Sequence, residues 1–79
     1  MNDHLLIILL TKENMSNFKA IHYFQWGNLK LKKGEALLIE ELDRDRSLVT
    51  VKHHPDKTLI VSTKAVENMV FLKKIERLQ

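Results

Sequence analysis

The stretch LKLKKGEALLIEE, residues 29–41, constrains this chain more than any other, because two alternating segments meet there at a single glycine. Leu29 and Leu31 alternate with lysines, the period-2 pattern of a strand with one apolar face. Lys33 and Gly34 suit the centre of a type II turn, whose third position needs a positive φ that glycine adopts without steric cost. Residues 35–42 then read as a second strand, with Ala36, Leu38 and Glu40 on one face and Leu37 and Ile39 on the other.

The segments downstream continue in the same style. DRDRS, residues 43–47, reads as a charged loop, and the β-branched alternation of LVTVKH, residues 48–53, reads as a strand. HPDK, residues 54–57, places Pro second and Asp third, which matches a type I turn, and TLIVS, residues 58–62, returns as the other arm. The tail is ambiguous. Residues 63–66 form one tight turn on this reading, and from Glu67 onward good helix formers dominate, with Met69, Leu72 and Ile75 at helical spacing. The expectation is a short strand or 3₁₀ turn followed by a C-terminal helix.

Upstream, LLIILL at residues 5–10 is a short apolar run bounded by polar residues, the pattern of a buried first strand. Six residues fall far short of a bilayer span. Asp3 carries the wrong charge for a secretory leader, and no small-residue cleavage site follows. TKENMSN, residues 11–17, is polar and ends that strand. FKAIHYFQW, residues 18–26, holds four of the five aromatic residues and admits two readings. One is a helical turn capped by Ser16 and ended by Gly27. The other is alternation, with Phe18, Ala20, His22, Phe24 and Trp26 on one side. In either, the aromatics fold this excursion back onto the core, with Trp26 left partly exposed beside the basic turn.

Seventy-nine residues close one core, not two, so residues 1–79 are expected to form a single domain. A hydrophobic content of 44% argues against disorder. The absence of Cys removes disulfides, zinc–thiolate sites and thiol nucleophiles, and permits a cytoplasmic location. The net charge of +3 is mild, but its distribution is uneven: Lys30, Lys32 and Lys33 surround Gly34, while Lys73, Lys74 and Arg77 gather near the end.

Catalytic constellations are not apparent. His53 and His54 stand near Asp56, yet adjacent strand residues point to opposite faces and do not readily ligate one metal. Ser16, Ser47 and Ser62 lack any base arrangement that the sequence reveals, and there is no Gly-rich phosphate cradle. Arg44 and Arg46 interleave with Glu40, Glu41, Asp43 and Asp45 and neutralise that acidic run as a cation site. The chain is therefore expected to be non-enzymatic and to need no cofactor.

An apolar first strand, a long loop, the LKLKKGEALLIEE turn and three short strands follow in the order of a Src-homology-3 (SH3) domain. LIVSTKAVENM, residues 59–69, resembles that family's strand, tight turn and final strand. Within the family, WGNLKLKKGEALLIEE is most similar to the helically extended variant of haematopoietic adapters such as the adhesion- and degranulation-promoting adapter. Only four residues precede Leu5 here, so the helix that opens that variant is expected to be absent. The resemblance implies a small five-stranded antiparallel SH3-like barrel over about residues 5–69, with a C-terminal extension over about 70–79. The family's aromatic peptide groove has no counterpart: the first strand leads into Thr11, Lys12 and Glu13, the third begins Ser47, Leu48, Val49, and the final turn carries Ser62 and Ala65. Ordinary proline-rich peptides are then not expected to bind. What the resemblance implies is an adapter module at the cytoplasmic membrane surface that binds acidic phospholipid or a signalling protein. Lys30, Lys32, Lys33, Trp26, Lys73, Lys74 and Arg77 are the candidate contacts. The alternative is a small nucleic-acid-binding barrel in which Trp26 stacks on bases.

Overall fold

The computed structural model describes residues 15–78. They form strands β1 (Met15–Ala20), β2 (Phe24–Trp26), β3 (Leu29–Leu31), β4 (Ala36–Glu41), β5 (Arg46–Val51) and β6 (His54–Ser62), then helix α1 (Thr63–Phe71) and strand β7 (Ile75–Arg77). An antiparallel sheet of five strands runs in the order β6-β5-β4-β1-β7, and β2 and β3 make a separate hairpin. The fold is mostly β with one short helix near the C-terminus, as expected.

Alternation along each strand decides which face is buried. Phe18 and Ala20 of β1, Leu37 and Ile39 of β4, and Val49 and Val51 of β5 point to one side of the sheet. The β2–β3 hairpin brings Phe24, Trp26, Leu29 and Leu31 onto that side, and α1 and β7 add Val66 and Ile75. These elements cover most of the inner face. Ser47 is the one buried polar residue among the described core, and its hydroxyl pairs with that of Thr63 at 3.0 Å, so it is not stranded.

Gly34 behaves as its position requires, with φ +86° and the Glu35 N–H donating to the Lys32 carbonyl at 3.0 Å. Other expectations are corrected. The sheets are open and do not close into a barrel: β6 and β7 are the two edges, and α1, which connects them, packs against both in place of a closing ladder. The helix comes before the last strand, starting at residue 63, and residues 75–77 are strand where a helix was expected. Met15, Ser16 and Asn17 belong to β1 despite their polar surroundings, and His22 sits in an exposed bend that interrupts the alternation from Phe18 to Trp26. The β5–β6 hairpin closes at Lys52 and His53, pairing Val51 with His54, so the turn lies two residues ahead of HPDK. Because Thr50 pairs with Thr58, residues 55–57 are extra on β6, and Pro55 is tolerated where the ladder is broken. The apolar run at residues 5–10 lies outside the described residues.

Candidate functional site

Two turns carry most of the candidate cations, and the backbone fastens both to the same end of β1. The Gly34 N–H donates to the Ala20 carbonyl at 2.7 Å, and the Ala20 N–H donates to the Glu35 carbonyl at 2.9 Å. The Glu35 carboxylate also accepts from the Lys32 N–H at 3.0 Å, which rigidifies the turn from within. On the other flank, the Ile21 N–H donates to the Lys74 carbonyl at 2.9 Å. Since β1 lies between β4 and β7, the Lys32–Lys33 turn and the Lys73–Lys74 turn stand on either side of Ala20 and Ile21.

The second turn is a helix stop of the Schellman type. The Lys74 N–H donates to the Met69 carbonyl at 2.9 Å and the Lys73 N–H to the Val70 carbonyl at 3.0 Å. Lys73, with φ +59°, occupies the left-handed position that usually goes to glycine. This stop turns Phe71 and Leu72 outward, 81% and 59% exposed, directly ahead of the two lysines. The Lys74 ammonium reaches back over the Phe24 ring, 5.8 Å from its centre. Exposed Tyr23 and His22 complete this end, in the bend after β1.

The remaining candidates lie elsewhere. Lys30 is exposed in the middle of β3, opposite Gln25, and borders a shallow recess with Asn28, Asp56 and Lys57. Arg77 lies on the inner side of β7, where it donates to the Ser16 hydroxyl at 2.8 Å and stacks 5.9 Å from the centre of the Phe18 ring. Trp26 is only 6% exposed and packs in the core with its ring 6.2 Å from that of Phe24, so the expectation of a partly exposed indole is corrected. The reason is the pairing of β2 with β3, which turns Phe24 and Trp26 inward together.

Arg77 also borders a groove of about 380 Å³ between α1 and the inner sheet face. Phe18, Ile39 and Val66 give it apolar walls, and Glu41 and Glu67 stand with Arg77 at its margin. Among the described residues, no group of three His, Cys, Asp or Glu side chains is placed to hold a metal ion.

Phe71, Leu72 and Tyr23 were not anticipated as part of a site. FLKK, an apolar pair running into two lysines, is the signal that marks Phe71 and Leu72 in the sequence. Comparison with protein-family models, with curated proteins and with solved structures finds no match to this chain.

Proposed function

We propose that this chain is a non-catalytic interaction module that contacts acidic phospholipid through the end of the sheet whose turns carry Lys32, Lys33, Lys73 and Lys74. The observation that supports this reading is the fastening of both lysine-bearing turns to Ala20 and Ile21, with Phe71 and Leu72 exposed between helix and strand. Cations draw the surface toward anionic headgroups, and adjacent apolar side chains enter the headgroup boundary. Each lysine near such a leaflet contributes about 1 kcal/mol, so four contribute about 4 kcal/mol, which corresponds to roughly millimolar affinity. Partial burial of Phe71 and Leu72 adds a further ~1–3 kcal/mol. The association is weak and suits a module tethered by other contacts. Lys30 and Arg77 lie outside this patch and contribute only long-range charge.

Sedimentation with phosphatidylserine-containing vesicles tests the reading against neutral phosphatidylcholine vesicles. Binding to the acidic vesicles is expected to fade between 0.05 M and about 0.5 M salt as the charges are screened. Lys32→Glu with Lys33→Glu is expected to remove most of it, and Phe71→Ser part of it. Equal binding to both vesicle types, unchanged by these substitutions, rejects the proposal.

An SH3-like chain order belongs to the same reading. It is supported by β1 pairing with the last strand, by the β2–β3 excursion ahead of the Gly34 turn, and by three consecutive antiparallel strands after it. In this version β1 takes the place first expected of residues 5–10. Proline-rich peptides are expected to leave the amide spectrum unchanged near residues 62–66; saturable shifts there would contradict this. The nucleic-acid reading is supported by exposed Tyr23 and Phe71 beside lysines, in place of buried Trp26. Single-stranded DNA bound more tightly than vesicles, and weakened by Tyr23→Ala, would favour it.

A further inference from the structure

We infer that the groove between α1 and the inner sheet face is a binding site for an apolar dipeptide with both ends free. Its volume of about 380 Å³ falls within the ~300–1,000 Å³ of pockets that take small ligands. Phe18, Ile39 and Val66 form an apolar floor, and exposed Val70 continues it along the helix. Strand register sets where the polar groups stand around that floor. Glu41 of β4 pairs with Ser47 of β5, and the buried Ser47 hydroxyl lies 3.0 Å from that of Thr63 at the start of α1, so these three share one end. Arg77 pairs with Phe18 and donates to the Ser16 hydroxyl at 2.8 Å, which holds its guanidinium over β1. Ser16 in turn pairs with Ile39, two residues before Glu41, so Ser16 and Glu41 are one strand spacing and two residues apart, ~8 Å. Neither Glu41 nor Glu67 forms an ion pair with Arg77; among the described residues the one ion pair joins Arg46 to Asp43.

Opposite charges held apart across an apolar floor select the occupant. An extended dipeptide spans ~7 Å, which suits its ammonium to Glu41 and its carboxylate to Arg77, whereas a single amino acid spans only about half of that. A plain amine leaves the guanidinium unanswered, and a fatty acid answers it but brings no cation to Glu41 or to Glu67 on the helical wall. The guanidinium has further N–H donors beyond the one given to Ser16, so it can take a carboxylate without releasing that contact. The bond between the Ser47 and Thr63 hydroxyls uses only one of their two protons, and the other is available to the peptide carbonyl. Apolar side chains on the dipeptide then cover Phe18, Ile39 and Val66. This site is separate from the lysine-bearing turns, since none of Lys32, Lys33, Lys73 and Lys74 borders the groove.

Titration of leucyl-leucine into the full chain, followed by amide shifts, tests the site. Saturable shifts are expected at Ile39, Ser47, Val66 and Val70, with Lys32, Lys33 and Lys73 unmoved. N-acetylation of the dipeptide and amidation of its carboxylate are each expected to weaken binding roughly tenfold, through loss of one charge-assisted contact. Glu41 is exposed at the end of β4, so Glu41→Gln is expected to keep the fold. That variant is expected to bind the free dipeptide more weakly by a similar factor and the N-acetylated form no differently from the parent chain. Arg77→Gln supplies the converse: it weakens the free dipeptide but not the amidated one, and an unchanged dispersion of the amide spectrum checks that β7 still pairs. No saturable shift along the groove overturns the inference. Equal affinity for either blocked form does so as well, because the groove would then hold apolar matter without reading the two ends.

Discussion

Three of the described residues, Gly27, Gly34 and Lys73, hold a positive φ at a turn, and each answers substitution differently. Gly34 has φ +86° and open space around the position of an added Cβ, so the cost of a side chain there is purely one of backbone conformation. Gly34→Val is expected to lower stability by about 1–3 kcal/mol in chemical denaturation, because a β-branched residue resists that region. Gly27, with φ +60°, adds a steric reason, since a Cβ would lie 2.9 Å from a methyl of Leu59. Lys73 holds the same kind of conformation without being glycine, and Lys73→Gly is expected to stabilise the fold by about 1 kcal/mol while weakening vesicle binding. Opposite signs in the two assays separate folding from surface contact. Asp43, which pairs with Arg46 at 2.8 Å, has its carboxyl pKa held below the usual aspartate range, first by the side-chain hydrogen bond from Arg46 and then by backbone N–H groups. A depressed folded-state pKa gives stability that is present above the unfolded value and disappears as pH falls through the folded one. Arg46→Ala is expected to move the Asp43 carboxyl titration upward in an NMR pH series. Gly34 was legible in the sequence because glycine marks such a turn; Lys73 was not, because nothing in a lysine announces a left-handed conformation.

Elements were legible wherever one face is apolar. Strands β3, β4 and β5 alternate clearly, and their positions agree with the sequence to within two residues. The start of β1 was hidden, because Met15 and Asn17 face outward and inward Ser16 lies beside Arg77. Helix α1 was read late for a related reason. Its start relies on Ser62, whose hydroxyl accepts from the Ala65 N–H at 3.0 Å, but Ala65 stands where a capping box would place Glu or Gln. Ser62→Ala is expected to cost about 1 kcal/mol and to loosen amide protection at residues 63–66. Strand β7 has only one buried residue, Ile75, so no alternation could reveal it. Its pairing with β1 is a long-range contact that local pattern does not encode.

For the molecule as a whole, the β class and the single small helix were readable from composition and periodicity, whereas the openness of the sheet was not. Closure depends on whether the last strand can reach β6, and the position of α1 decides that in space rather than in sequence. The basic residues illustrate the same limit: two lysine-bearing turns far apart in sequence are both fastened to Ala20 and Ile21, while Lys30 and Arg77 lie elsewhere. The open edge of β6 has a consequence for self-association. From Thr58 to Ser62 its outward backbone groups face no partner strand among the described residues, and such an edge is a template on which a foreign strand can grow. Pro55, Asp56 and Lys57 interrupt the other half of that edge with a missing donor and two charges. They are expected to hinder edge-to-edge pairing of one sheet with the next. Replacing Pro55 with Thr and Lys57 with Val is expected to leave the monomer folded yet make light scattering rise steeply with concentration, which would mark these two residues as protecting solubility rather than stability.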